Sequence, residues 1–146
     1  MAIESAPEIE KVIRESYDAY QRGDTSTLDE IWSKDKSVIV LGTAPGERWE
    51  GHQTIVEGMG REMGQRTNET RSRMDNVRGY REGDVGWAVT EGAFLVSDGE
   101  VQTRGTAVLH REDDRWKFVQ WTFSVLVPDA VLERGSPLIE AVGGRR

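Results

Sequence analysis

The amino-acid sequence predicts an α+β fold in which a helical first third is followed by strands. Apolar residues recur at helical spacing near the N-terminus and again over about 52–63. Segments of alternating apolar and polar residues fill most of 70–126. Short polar turns separate these segments, and Asp98-Gly99 is a strong hairpin signal. Helices followed by a run of antiparallel strands are typical of the α+β class.

The first helix is predicted to run from Ser5 to Arg22. Ser5 can cap it, with Glu8 three residues later in the position of a capping box. Gly23 should end it, because glycine readily adopts the left-handed conformation found at helix ends. Its inward residues recur every three or four positions and are Ile9, Val12, Ile13, Ser16, Tyr17 and Tyr20.

Two further helices and a strand follow. A short helix can be capped by Asp24 or Ser26, and its apolar stripe ends at Trp32. A strand is predicted over 38–41, before a turn that contains proline and glycine. The third helix is predicted over about 52–63.

Four more strands form a predicted antiparallel meander, with short turns between them. They span about 70–80, 85–96, 101–111 and 116–126. Beyond Pro128, two short apolar segments, 130–132 and 138–142, leave open whether the tail is helical. We therefore expect a single domain over 1–146, with a core at about 6–127 and a C-terminal extension over 128–146.

The composition excludes several classes of site. The chain has 146 residues and no cysteine, so disulfides, thiolate metal sites and a cysteine nucleophile are excluded. The net charge of −7 argues against nucleic-acid binding, which needs a basic face. No apolar run approaches the roughly 20 residues of a membrane span. The first residues lack the pattern of a secretory signal, so we expect a cytoplasmic protein with no membrane partner.

Metal and cofactor motifs are missing from the sequence. The two histidines, His52 and His110, are not spaced as metal ligands. A phosphate loop, a dinucleotide fingerprint and a nucleophile elbow are also missing. We therefore expect no metal and no cofactor.

Several segments follow one another in an informative order. They are 21–24 at the end of the first helix, the apolar helix ending at Trp32, the Asp35 turn before strand 38–41, segment 47–51 before Ile55, and the aromatic segment 115–124. In their order and spacing, over about 6–127, they resemble the SnoaL-like, ketosteroid-isomerase-like branch of the nuclear transport factor 2-like superfamily. The resemblance implies a cone-shaped, curved antiparallel sheet wrapped around N-terminal helices, a pocket between them, and usually a homodimer.

The resemblance also implies where an isomerase would hold its catalytic groups. Ketosteroid isomerases of this family use a tyrosine on the first helix, an aspartate base at the end of the first strand and a protonated aspartate on a late strand. The matching positions here are Ser16, Val40 and Ala107, or Thr106 beside it. None can supply the same chemistry, so this reaction is disfavoured.

Glu91 is the candidate catalytic residue. By alternation it shares a strand face with Trp87, Val89 and Ala93, and the resemblance directs this face toward the cavity. A carboxylate among apolar residues is a plausible general acid or base. The alternatives are that Glu91 pairs with an arginine or that the register of the strand is shifted.

Aromatic residues near the junction of helices and sheet favour a cavity for a flat or ring-shaped ligand, unless they fill the core completely. Gln120 could bind a ligand carbonyl or make a structural hydrogen bond. His52 could reach the cavity mouth or lie in solvent at the helix start. The expected ligand-binding residues are Tyr17, Tyr20, Trp32, Trp49, His52, Met59, Trp87, Gln120 and Thr122.

The last strand is expected to have one cavity face and one outer face. Its outer face should carry Val119, Trp121 and Phe123, an apolar set that would mark an interface. A homodimer through the convex face of the sheet would cover this set.

Two functions are compatible with these observations. In the first, the protein binds a small hydrophobic or cyclic molecule in its pocket without catalysis, which the missing family carboxylates favour. In the second, it is a metal-independent acid–base isomerase, cyclase, dehydratase or hydrolase that uses Glu91. The sequence leaves open whether the protein is an enzyme.

Overall fold

Helices and a curved sheet form the fold in the computed structural model, which describes residues 2–65 and 71–135. Within these ranges the helices are α1 (Pro7–Arg22), α2 (Thr25–Ile31), α3 (His52–Gln65) and α4 (Asp129–Arg134). The strands are β1 (Glu4–Ser5), β2 (Ile39–Leu41), β3 (Arg48–Glu50), β4 (Arg71–Glu82), β5 (Val85–Val96), β6 (Gly99–Glu112) and β7 (Arg115–Val125).

The strands form one mostly antiparallel sheet in the order β1-β4-β5-β6-β7-β2-β3. Its centre is the predicted meander from β4 to β7. The short strand β2 pairs in parallel with β7 and antiparallel with β3. The predicted α+β class and curved antiparallel sheet are therefore confirmed. The predicted tail segment 138–142 lies outside the described residues.

The ends of the first two helices lie where the sequence predicts them, except at the start of α1. Gly23 is left-handed, with φ of 73°, and ends α1. Asp24 caps α2, because its Oδ1 accepts a 3.0 Å hydrogen bond from the Thr27 N–H. The predicted cap at Ser5 is wrong, since Ser5 lies in β1 and pairs with Tyr80. The helix begins after Ala6, whose N–H donates to the Gly79 carbonyl.

Helix α1 packs very closely against the concave face of the sheet. A Cβ on Gly79 would lie 2.8 Å from the Ala6 carbonyl oxygen, and one on Gly86 would overlap Ile9. Small residues therefore mark the inward face of the sheet under this helix. The core between them contains, among others, Ile9, Ile13, Leu28, Trp32, Ile55, Leu109, Phe118 and Trp121.

The inward face of β5 was predicted wrongly by one residue. Gly86, Ala88 and Thr90 are buried, whereas Val89 and Glu91 are exposed. Large apolar residues were expected to face inward, but α1 leaves room only for small ones on this side. The face with the larger side chains is therefore the outer one.

Two bulges interrupt the meander, one on each side of the β5–β6 pair. Asp75 is an extra residue in β4, between positions that pair with consecutive residues of β5. Val119 is an extra residue in β7, because Phe118 pairs with Leu109 and Gln120 with Val108. Bulges bend a strand and increase its twist, so both contribute to the curvature of the sheet.

No helix within 2–65 or 71–135 is both long and apolar enough to cross a membrane.

Candidate functional site

A cavity of about 430 Å³ lies between the helices and the concave face of the sheet. Helices α1 and α3 form one side, and strands β2 to β7 with the turn between β2 and β3 form the other. Its lining residues are Ser16, Tyr17, Tyr20, Val40, Gly42, Thr43, Glu47, Trp49, Met59, Glu62, Ser72, Phe94, Thr103, Trp121 and Phe123.

Three aromatic rings pack together in one part of the wall. The ring centroids of Trp121 and Phe123 are 5.0 Å apart and nearly parallel, with an angle of 20°. The ring of Tyr17 lies 5.9 Å from Trp121 and 6.2 Å from Phe123. Rings in such contact stabilise one another beyond their burial, so this part of the wall is closely packed and apolar.

Tyr17 brings a phenol hydroxyl into this apolar part of the wall. Burial raises the pKa of Tyr17, because the charged phenolate would lose its hydration. A hydrogen bond with the buried Thr90 side chain opposes this shift only in part. The hydroxyl is therefore a neutral hydrogen-bonding group at neutral pH.

Trp49 forms another part of the wall, and a glycine makes its position possible. A Cβ on Gly58 of α3 would lie 2.6 Å from the indole ring, which is too close for any side chain. The ring therefore lies directly against the helix backbone. Gly42 makes room in the same way for Glu47, whose Oε2 accepts a 3.2 Å hydrogen bond from the Ala44 N–H.

Glu62 lines the cavity from α3 and is held by a residue of α1. The Tyr20 hydroxyl donates a 2.9 Å hydrogen bond to Glu62 Oε2. Glu62 follows Met59 by three residues, so both lie on the same side of the helix. The side chains of Glu47 and Glu62 thus give the cavity two carboxylates.

The structure brings together four of the nine residues that were expected to bind a ligand. Tyr17, Tyr20, Trp49 and Met59 line the cavity. Their role in ligand binding remains a prediction.

Two other expected residues lie elsewhere in the interior or at its edge. Trp32 is in the core, with only 1% of its surface exposed and its ring 5.2 Å from Phe118. His52 begins α3, where Nδ1 is 3.1 Å from the Ser33 carbonyl oxygen and Nε2 is 2.8 Å from Asp29 Oδ1. This hydrogen bond from His52 holds the pKa of Asp29 below its usual range. His52 therefore has a structural role outside the cavity.

The last three expected residues lie on the outer face of the sheet. Trp87 stacks on Tyr80, its partner across the strands. Gln120 and Thr122 follow the bulge at Val119, which reverses the predicted alternation of β7. As a result Trp121 and Phe123 line the cavity, and the predicted outer set of Val119, Trp121 and Phe123 is wrong for these two.

Glu91 does not reach the cavity. It lies on the exposed outer face of β5, with its Oε2 3.9 Å from the Nε of Arg104 on the neighbouring strand. The arginine pairing considered as the alternative is therefore what the structure contains. The expected orientation of Glu91 was wrong because the inward side of β5 carries the small residues.

The sequence did not lead us to either cavity carboxylate or to the ring of Phe94, and the rings of Trp121 and Phe123 were expected on the outer face. Helical spacing from Met59 could have identified Glu62, and strand spacing from Trp49 could have identified Glu47. Ser16 and Val40, which match catalytic positions of ketosteroid isomerases, do line the cavity, while Ala107 is buried beside it. Among residues 2–65 and 71–135 no group of three or more potential ligands could hold a metal ion.

Comparisons with known proteins identify relatives of this fold. A family model described as "SnoaL-like domain" matches residues 9–128. No curated protein matches the sequence. An NTF2-like protein of unknown function from Pseudomonas putida KT2440 is similar in structure, with a TM-score of 0.73 at 14% identity over 84% of this chain and 87% of that one.

Two further solved structures share the fold. A proposed dehydratase of the NTF2-like family from Streptomyces avermitilis has a TM-score of 0.72 at 18% identity, over 84% of this chain and 96% of that one. An uncharacterised protein with a cystatin-like fold from Caulobacter vibrioides has a TM-score of 0.71 at 16% identity, over 92% and 96%. At these identities the similarity shows the fold alone.

Proposed function

The chain belongs to the SnoaL-like domain family, and we propose that its cavity binds a small hydrophobic or cyclic molecule without changing it chemically. The observation that carries this proposal is the cavity of about 430 Å³, whose wall includes six aromatic residues. Ligand pockets are commonly about 300–1,000 Å³ and mostly apolar, with a few polar groups that orient the ligand. An aromatic face such as that of Trp49 suits a flat ring.

A thermal-shift screen tests this proposal. The compounds are cyclic ketones, polyketide-like aromatics and fatty acids, and a ligand at about 100 times its Kd should stabilise the fold by about 2.7 kcal/mol. Met59→Trp fills the cavity and should abolish the shift. Met63→Trp is the matched control, because Met63 lies one turn further along α3 and packs on the core without lining the cavity.

The two variants separate binding in the cavity from binding elsewhere. A compound that stabilises the wild type and Met63→Trp, but not Met59→Trp, would support the proposal. A compound that stabilises Met59→Trp equally would place binding outside the cavity. If no compound stabilises the wild type, the proposal is wrong for these ligand classes. Circular dichroism of each variant checks that it is folded.

Acid–base catalysis is the second candidate, and the contact between Tyr20 and Glu62 favours it. A carboxylate that is oriented by a phenol beside an apolar cavity is a plausible proton acceptor. Glu91 lies too far out to take this role. Exchange of the α-protons of a bound cyclic ketone in D₂O, followed by NMR, tests this candidate. Exchange that persists in Glu62→Gln, or that is missing in the wild type, would argue against it.

A homodimer is proposed through the outer face of the sheet, with a different residue set from the one first expected. Trp87 and Val89 of β5 and Val108 of β6 point outward next to one another. Val89 is 45% exposed, which is unusual for a valine in a central strand. Apolar surface of this kind is typical of interfaces, and a two-fold axis would bring two copies of it together.

A further inference from the structure

The indole N–H of Trp121 has no hydrogen-bond partner among residues 2–65 and 71–135. The Trp121 side chain lines the cavity, yet only 3% of the residue is exposed. A buried donor without an acceptor destabilises a fold, and such groups are rare in proteins. The wall of the cavity therefore contains a donor that the described part of the chain leaves unsatisfied.

The surroundings of this N–H are polar on one side. Thr90 and Gly105 are direct partners on neighbouring strands. A Cβ on Gly105 would lie 3.2 Å from Trp121 Nε1 and 2.6 Å from Thr90 Oγ1. The two polar atoms thus border the same small region on the inward face of the sheet. The Thr90 hydroxyl does not accept from the indole and bonds the Tyr17 side chain instead.

The Tyr17 and Thr90 hydroxyls add to the supply of donors. Each hydroxyl has one proton to donate, and the single bond between the two groups uses one of these protons. An indole N–H can donate but cannot accept. The ring of Tyr17 lies 5.9 Å from that of Trp121, so these groups belong to one part of the wall. An oxygen with lone pairs and no proton is the group that complements them.

We propose that Trp121 makes the cavity selective for a ring compound with a carbonyl oxygen, which accepts a hydrogen bond from the indole N–H. The Tyr17 hydroxyl can turn its proton toward the same oxygen. The ring of the ligand would pack against the apolar wall, including the face of Trp49. A hydrocarbon of the same shape would leave the N–H unpartnered. This inference rests on the proposed binding function and adds to it a functional group of the ligand.

Tetralone and tetralin test the inference, because they share a fused ring system and differ by one carbonyl oxygen. Calorimetry measures the Kd of each compound for the full chain. We expect tetralone to bind about tenfold more tightly than tetralin, which corresponds to about 1.4 kcal/mol. The physical reason is that the ketone supplies the acceptor that the buried donor lacks.

Two tryptophan variants locate the source of the preference. Trp121→Phe keeps an aromatic ring and removes the N–H, so it should bind the two compounds about equally. Trp32→Phe is the matched control. The Trp32 N–H is also buried and unpartnered within the described part of the chain, but its ring lies in the core. This variant should keep the preference for tetralone.

NMR of the indole N–H groups gives a measurement that requires no variant to fold. The Trp121 signal is assigned through its contacts with the rings of Tyr17 and Phe123. A new hydrogen bond should move this signal downfield in the tetralone complex relative to the tetralin complex. The Trp32 signal should be the same in both complexes.

The outcomes separate this inference from the binding proposal. If tetralin binds as tightly as tetralone, or if Trp121→Phe keeps the preference, the inference is wrong and the binding proposal stands. It is also wrong if Trp32→Phe loses the preference as fully as Trp121→Phe does, or if the Trp49 signal moves downfield in place of the Trp121 signal. If neither compound binds, the inference is overturned together with the binding of small fused rings.

Discussion

The Tyr20 hydroxyl on α1 donates a 2.9 Å hydrogen bond to Glu62 Oε2 on α3, 42 residues away in the sequence. The bond joins the two helices that form one side of the cavity. It therefore combines two effects, since it ties the helices together and it orients a cavity carboxylate.

Removing the hydroxyl should weaken the fold modestly. Tyr20→Phe loses one partly buried hydrogen bond to a charged group, which typically contributes about 1–3 kcal/mol. Urea unfolding measures the change in the free energy of unfolding. Tyr80→Phe, on the outer face of the sheet, is the control and should change it little. Equal losses in the two variants would mean that the link between α1 and α3 is not stabilising.

Two neighbouring glycines of α3 should respond to alanine in opposite ways. Gly60→Ala should stabilise the protein by up to about 1 kcal/mol, because alanine favours helix. Its nearest neighbour outside the helix, Thr25 Cγ2, lies at an ordinary 3.4 Å from the new Cβ. Gly58→Ala should instead destabilise by about 1–3 kcal/mol, because its Cβ would lie 2.6 Å from the Trp49 ring.

Thermal unfolding and tryptophan fluorescence measure both glycine effects. Displacement of Trp49 in Gly58→Ala should change the emission of the folded protein, while Gly60→Ala should not. If Gly58→Ala is as stable as Gly60→Ala, the close contact between the indole and the helix does not exist in solution.

The stability of the protein at high pH should depend on Tyr17. Burial raises its pKa above the ordinary value of 10.0. The unfolded chain therefore loses this proton first as the pH rises. The stabilisation from the neutral phenol is complete below about pH 10 and is lost as the pH rises through the raised folded value.

Tyr17→Phe should remove this contribution to the alkaline loss of stability. The measurement compares urea midpoints of wild type and variant at neutral pH and above pH 10, and an ultraviolet titration follows phenol ionisation directly. An identical alkaline slope in wild type and variant would show that Tyr17 ionises alike in the folded and unfolded states.

The proposed homodimer predicts that a charge on the outer face will separate the subunits. Val89→Glu should give a monomer in sedimentation, because a buried carboxylate at the centre of an apolar interface is costly. Val96→Glu is the matched control, since Val96 ends the same strand and is 40% exposed. A Val89→Glu protein that sediments as the wild type does, or a monomeric wild type, would contradict this interface.

The sequence was sufficient for the order of the first three helices, β2 and the four strands of the meander, because turns and caps are local signals, but it did not predict β1 or β3. Gly23 and Asp24 act as expected since a left-handed glycine and an aspartate cap depend on adjacent residues only. Ser5 did not, because pairing with β4 across the fold determines its conformation. Local sequence signals therefore predicted the backbone conformation correctly where the backbone does not pair with a distant strand.

The facing of the strands could not be predicted from alternation alone. Alternation in β5 separates Glu91 from Thr90, but it does not say which side the helices cover. The decisive signal was the size of Gly86, Ala88 and Gly92, which allows a helix or a neighbouring strand to approach. In β7 the bulge at Val119 changes the alternation, and a bulge has no reliable sequence signal.

The candidate site was predicted in outline only. Tyr17, Tyr20, Trp49 and Met59 were identified because aromatic and apolar residues on the inward sides of helices line such cavities. Glu62 and Glu47 were missed because acidic residues on helices and turns are usually solvated. Their inward position depends on Tyr20 and on the space above Gly42, which only the tertiary structure reveals.

The two bulges bend the sheet through extra residues, so substituting side chains does not remove this curvature. Asp75 and Val119 are each one extra residue in their strand. If the extra residue is left out of the count, inward and outward side chains alternate without interruption across each bulge. Deleting one would straighten its strand while every cavity side chain kept its direction. Insertion or deletion at a bulge would therefore change the depth of the cavity and leave its lining side chains the same. Substitution of lining residues would change the chemistry of the cavity instead. The fold can thus adapt to new ligands in two separate ways.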